Sequence, residues 1–157
     1  MKVVKVKRLA SDAVMPRRAH ADDAGYDLVA VSRTVDENGC MVYGTGLAFE
    51  IPEGMVGLLF PRSSVANRGL SLSNCVGVVD SGYRGEVTFK FRPVDTGFVE
   101  MRGGDYMLSE VYHPKVYAVG DRIGQLVLVS LPDVAMIESD ELSRSERGEG
   151  GYGSTGR

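Results

Sequence analysis

The chain is poor in the residues that most site chemistries need. Its 157 residues include two cysteines, two histidines and no tryptophan. Cys40 and Cys75 form no CxxC and no metal-type spacing, which argues against a disulfide framework or a zinc site; reduced thiols are expected, with one buried disulfide as the alternative. His20 and His113 lie far apart and outside any HExxH-type array, so histidine-based metal binding or nucleophilic catalysis has little to work with. No apolar run approaches the roughly 18 residues of a membrane span. The opening MKVVKVKRLASDAVMP lacks the apolar core and cleavage site of a signal peptide, so the expected location is the cytoplasm. A basic excess is missing too. Eighteen Lys+Arg against 21 Asp+Glu give a net charge of −3, which argues against non-specific binding to nucleic acid or a membrane surface. A small anion held by a few arginines is still allowed.

Helical periodicity is also scarce. Only a short stretch from Ser63 to Arg68 reads as helical, whereas strand patterns recur. Residues 2–7 alternate apolar and basic, residues 25–31 and 55–60 are short apolar runs, and residues 123–131 read as a mostly buried strand. Residues 86–92 alternate cleanly, with Val87, Phe89 and Phe91 on one face. Turn signals separate these runs. The expectation is a single all-β domain, a distorted jelly roll or β-clip barrel with at most a short helix. From Ser139 the chain becomes polar and glycine-rich. Five of its 20 glycines lie in the last ten residues, so residues 139–157 read as a mobile arm on a domain of residues 1–138.

Four segments could carry chemistry. Pro61-Arg62-Ser63-Ser64 follows an apolar strand: an arginine and two hydroxyls entering a short helix suit an anion. Read alone, it better fits an N-cap, with Ser63 or Ser64 capping a turn and Arg62 in a surface ion pair. Asn74 to Glu86 (NCVGVVDSGYRGE) delivers Asp80 to a Ser-Gly turn, where a carboxylate could hold and activate a water. Ordinary turn chemistry is the competing account. In GDRIGQ, residues 120–125, Gln125 on a buried strand must find a partner, structural or ligand. The tail RGEGGYGSTG fails as a P-loop, because no strand precedes it and no helix follows. Its glycines, hydroxyls and ring could still wrap phosphates and stack on a base.

With DAGYDL at residues 23–28, these segments occur in a fixed order: DAGYDL, PRSS, GVVDSGYRGE, GDRIGQL, RGEGGYGSTG. Together they resemble the five motifs of the trimeric deoxyuridine triphosphate nucleotidohydrolases (dUTPases), from about residue 16 to the C-terminus. The resemblance implies a jelly-roll homotrimer with three active sites at subunit junctions. It also implies Mg²⁺-dependent hydrolysis of dUTP to dUMP and pyrophosphate, with no nucleic acid or membrane as partner. Asp80 then matches the catalytic Asp that positions the attacking water, and Tyr83 the ring that packs under deoxyribose. Asn74 and the backbone of Gly77, Val78, Val79 and Asp80 match the hairpin that reads uracil. Arg62, Ser63 and Ser64 match the phosphate turn, Gln125 a further phosphate contact, and Thr88 a further substrate contact. Asp27 matches the acidic residue that reaches Mg²⁺ through water. Arg147, Tyr152, Ser154 and Thr155 match a lid that closes over a neighbouring subunit's site.

The chain departs from the usual family pattern. Ser64 stands where glycine is common, Gly124 where alanine is common, and Tyr152 where Phe or His is common. Residues 98–112 look like an insertion, expected to be a surface excursion with a partner-binding or regulatory use. The related dCTP deaminases share the RSS motif, but they need a Glu where this chain has Lys90.

Overall fold

The computed structural model describes residues 2–94, 98–102, 105–109 and 114–151, with the backbone alone for 98–102 and 105–109. Twelve strands and one short 3-10 helix make up its regular structure, and every strand pair is antiparallel. One four-stranded sheet has the order β2 (Gly25–Val29), β12 (Arg122–Ser130), β6 (Met55–Pro61), β8 (Gly77–Val79). The other runs β3 (Ser32–Val35), β4 (Met41–Gly44), β9 (Thr88–Pro93), β7 (Leu70–Leu72). A two-stranded ribbon joins β1 (Lys5–Arg8) to β5 (Leu47–Glu50). This is the all-β, jelly-roll-like fold expected.

The strands form where alternation meets the core. In β9, Phe89 and Phe91 point inward while Thr88 and Arg92 face out, as the pleat requires. In β12, Ile123 and Leu126 are buried. The core is aromatic at its centre: Tyr43 meets Phe91 and Tyr117 edge-on at 5.9 and 6.0 Å between centroids, and Phe91 lies 5.4 Å from Tyr117. Such edge-to-face pairs favour the quadrupoles of the rings.

Within the expected insertion, residues 98–112, the structure describes two strands. β10 (Phe98–Arg102) pairs with β11 (Asp105–Ser109), and neither strand joins another sheet. The first strand starts at Lys5 and not at residue 2. The helical stretch is the 3-10 helix η1 (Ser63–Asn67). After Ser130 no strand follows among the described residues. Leu131 N–H still bonds to the Gly54 carbonyl at 2.9 Å. Beyond it, Met136, Ile137 and Leu142 are 97%, 85% and 90% exposed.

Candidate functional site

The central position of β12 organises the site. Its register sets Gln125 opposite Asp27 on β2 and opposite Phe60 on β6, one residue before Pro61 and two before Arg62. A cavity of about 300 Å³ opens there, lined by Asp27, Arg62, Ser63 and Gln125 together with Ala19, Asp23, Ala24 and Gly25. Four of the residues singled out in the sequence thus converge from two strands, β2 and β12, and from the junction between β6 and η1.

Glycine makes the approach between β2 and β12 feasible. A Cβ on Gly25 would collide with the Gln125 side-chain amide, so the glycine leaves room for that amide at the cavity wall. Among the described residues the Gln125 amide and the Ser63 hydroxyl have no hydrogen-bond partner, which leaves both available to a ligand. Gly124 is tighter: a Cβ there would enter the Phe89 ring and come within 2.9 Å of the Phe60 carbonyl oxygen. The alanine common in the family is therefore excluded by the large Phe89.

Asp27 is cross-braced. Its Oδ1 pairs with Arg62 Nε at 3.2 Å and its Oδ2 accepts from Arg122 Nη1 at 2.9 Å. Arg122 can reach because a β-bulge between Arg122 and Gly124 shifts the β12–β2 register. The loop before β2 is held by Arg18, which donates to the carbonyls of Ala21 (2.9 Å) and Asp23 (3.3 Å) and to the Tyr26 hydroxyl (2.9 Å). Its guanidinium also lies 4.8 Å from the Tyr26 ring centroid. Asp23, in turn, accepts from the His20 N–H at 2.8 Å. Arg122, Asp23 and Arg18 escaped the sequence reading. Arg122 lies inside the GDRIGQ motif, and its charge there was the one available signal.

Ser64 lies in η1 beside the cavity without lining it. Cys75 alone among the described non-glycine residues has positive φ, so Ser64 needs no glycine-like backbone. The N-cap alternative finds no support: Arg62 occupies that position, and no side chain caps the helix. The ion-pair alternative does, since Arg62 pairs with Asp27.

The second group of residues lies elsewhere. β8 pairs with β6 so that Gly77 faces Leu59 and Val79 faces Gly57. Asp80 therefore falls level with the start of β6, six residues from Arg62, or about 20 Å at the usual strand rise. Asp80 is exposed, and its carboxylate makes no hydrogen bond or ion pair with other described residues. Its carbonyl closes the turn by accepting from the Tyr83 N–H at 3.1 Å. The Tyr83 ring packs over Gly85, and its hydroxyl donates to the Glu86 carbonyl at 3.0 Å. Asn74, Val78 and Thr88 are exposed on this side, while Gly77 and Val79 are buried in the strand pairing. Arg147 sits in the arm and donates from Nε to the Gly150 carbonyl at 3.0 Å. Tyr152, Ser154 and Thr155 lie outside the described residues.

No group of three metal-type side chains occurs among the described residues. The cavity offers Asp27, already bonded on both oxygens, and Asp23. That donor set suits a hard cation that keeps its waters and takes most of its oxygens from a phosphate ligand. It does not suit an all-protein cage.

The family model for dUTPase matches residues 11–104. A deoxyuridine 5'-triphosphate nucleotidohydrolase of Thermobifida fusca is 39% identical over 155 residues, covering 98% of this chain and 78% of its own. The dUTPase of Staphylococcus bacteriophage 80alpha, solved with dUPNHPP, superposes with a TM-score of 0.77 at 33% identity over the whole of both chains. A D95N mutant dUTPase from phage phi11 of S. aureus, described as coordinating a structural Mg(II) ion, has a TM-score of 0.68 at 28% identity, covering 89% and 98%.

Proposed function

The chain belongs to the dUTPase family and is a dUTP diphosphatase, and from that premise we propose that it works as a homotrimer whose active sites are each shared between chains. The observation that carries this is the register of β8 on β6, which sets Asp80 six residues from Arg62, about 20 Å at the usual strand rise. A general base must lie within about 3 Å of the proton it takes, or one water away. A triphosphate held by Arg62 and Ser63 of one chain does not reach Asp80 of the same chain. It reaches Asp80 of a second copy, whose exposed hairpin Asn74 to Asp80 binds the uracil edge and whose Tyr83 packs under the sugar.

In that shared site Arg62, Ser63, Ser64 and Gln125 hold phosphate oxygens. Thr88 adds a contact on the hairpin side. Asp80 orients a water and takes its proton as the water oxygen bonds to the α-phosphorus. The bond from that phosphorus to the bridging oxygen breaks, giving dUMP and pyrophosphate. Phosphoryl transfer of this kind depends on positioning and charge neutralisation, so no histidine or cysteine is needed. Mg²⁺ bound to the phosphates would supply further neutralisation, with Asp27 meeting its water shell.

The exposed apolar side chains of residues 131–142 fit an arm that packs on another copy. Arg147, Tyr152, Ser154 and Thr155 would then close over a neighbour's triphosphate and base. The reaction would keep dUTP out of DNA and supply dUMP for dTMP synthesis. The segment 98–112, which carries β10 and β11, is proposed as a protein-binding surface.

Deamination of dCTP is the less favoured reading. Lys90 occupies the position of the required Glu and is tied to Asp36, and this hydrogen bond holds the Asp36 carboxyl below its ordinary value. A pyrophosphate-release assay across dUTP, dCTP, dTTP and UTP, with and without Mg²⁺, tests the proposal. Release from dUTP with Mg²⁺ and little from the others is expected. Ammonia from dCTP without pyrophosphate would overturn it.

A further inference from the structure

We infer that Arg68 is a positioning residue for triphosphate binding, locking the exit of the phosphate turn to the turn that launches β12 and Gln125. The inference rests on the phosphate-turn reading above.

Arg68 follows η1 directly, and its N–H bonds back to the Val65 carbonyl. From there its guanidinium binds three further parts of the molecule. Nη1 donates to the carbonyls of Lys115 and Val116, both at 3.2 Å. Nη2 pairs with Asp121 Oδ2 at 3.6 Å. The guanidinium carbon stands 4.0 Å from the centroid of the Tyr117 ring, in cation–π range. The Tyr117 ring is itself buried, and its carbonyl accepts from the Tyr43 hydroxyl at 3.1 Å and from Arg33 at 3.2 Å. Arg68 is thus held against a rigid part of the core.

The other end of the strut is the turn before β12. Asp121 Oδ2 accepts from the Ala118 N–H at 2.9 Å, and its carbonyl accepts from the Ala30 N–H, just past β2. The next residue is Arg122, which grips Asp27. One guanidinium therefore links the segment carrying Arg62 and Ser63 to the segment carrying Gln125. The backbone reinforces the joint: Lys115 N–H bonds to the Arg68 carbonyl at 2.8 Å, and Val94 N–H to the Gly69 carbonyl at 2.9 Å. Gly69 has φ +62°, a conformation that glycine adopts without strain. Both chain ends flanking residues 95–113 are rooted on these two residues.

Arg68 lies at the rim of the core, its side chain 27% exposed. Its loss should let the phosphate turn and the Gln125 strand drift apart by a fraction of an ångström. Small misplacements of this kind weaken a preorganised phosphate site while leaving the uracil hairpin alone.

The test is calorimetric binding of the imido analogue dUpNHpp and of dUMP to Arg68→Met, Arg68→Lys and Asp121→Asn, alongside KM and kcat. For Arg68→Met the analogue should bind about 10- to 100-fold more weakly and KM should rise with it, while dUMP binding and kcat change much less. Arg68→Lys keeps a charge for Asp121 but loses the fork on two carbonyls, so it should fall between wild type and Met. Equal weakening of both ligands would mean a merely structural role, and unchanged affinity would mean none; either result overturns the inference. Should Arg68→Met fail to fold, the Lys and Asn variants decide by the same criterion. Arg62→Ala is the control. If it too leaves dUpNHpp affinity intact, the phosphate-turn reading itself falls.

Discussion

The Asp27–Arg62–Gln125 cavity and the Asn74–Tyr83 segment are built in opposite ways. The cavity is pre-formed: Asp27 is braced by two arginines, the loop in front of it is tied down by Arg18, and Gln125 is seated against Gly25. The Asn74–Tyr83 segment is bare. Val78 is 63% exposed and Tyr83 46% exposed, and the exposed Asp80 carboxylate makes no hydrogen bond or ion pair among the described residues. One region has the geometry of an anion anchor. The other presents an exposed carboxylate and an apolar shelf without an anchor. The contrast is what the proposed shared site builds on: on that reading each chain carries two half-sites, and chemistry begins where the half of one chain meets the half of another.

The largest expected effect would separate the two halves by function. Asp80→Asn should lower kcat by about 10²- to 10⁴-fold, the range for losing a general base, while dUpNHpp affinity stays within a few-fold of wild type. Steady-state kinetics beside calorimetry check this. A variant that keeps full turnover removes Asp80 from the mechanism.

A smaller effect probes how the anchor half is built. Gly124→Ala drives a methyl into Phe89 and should destabilise the fold by about 1–3 kcal/mol, the usual cost of overpacking. Adding Phe89→Leu should recover a good part of that loss. Urea unfolding of the single and double variants measures it. Additive losses would mean that Phe89 is not what forbids alanine there.

Several features were legible before the structure. The alternation over residues 86–92 marked β9, the buried run marked β12, and the short helical stretch marked η1. The strands β7 and β8 were missed as strands, because three residues each cannot display a period of two. The Leu47–Glu50 strand was missed because three consecutive buried residues read as no pattern. In the site, Asp27, Arg62, Ser63 and Gln125 emerged from the order of five motifs and not from periodicity. Arg122 and Arg68 stayed hidden because their contacts arise from strand register: no spacing in the chain announces that residue 122 lies against residue 27, or residue 68 against 115–121. The separation of Asp80 from Arg62 was equally invisible until the β6–β8 pairing was known.

The shared site is tested most directly by mixing two inactive chains. Asp80→Asn keeps an intact phosphate cavity, and Arg62→Ala keeps an intact Asp80. Each variant alone should be nearly inactive. When the two variants are unfolded together and refolded, mixed trimers should regain a substantial share of wild-type dUTP hydrolysis, through sites that draw a sound half from each chain. If chains exchange, as native mass spectrometry would show, yet activity stays at the level of the separate variants, both halves act within one chain and the account is wrong.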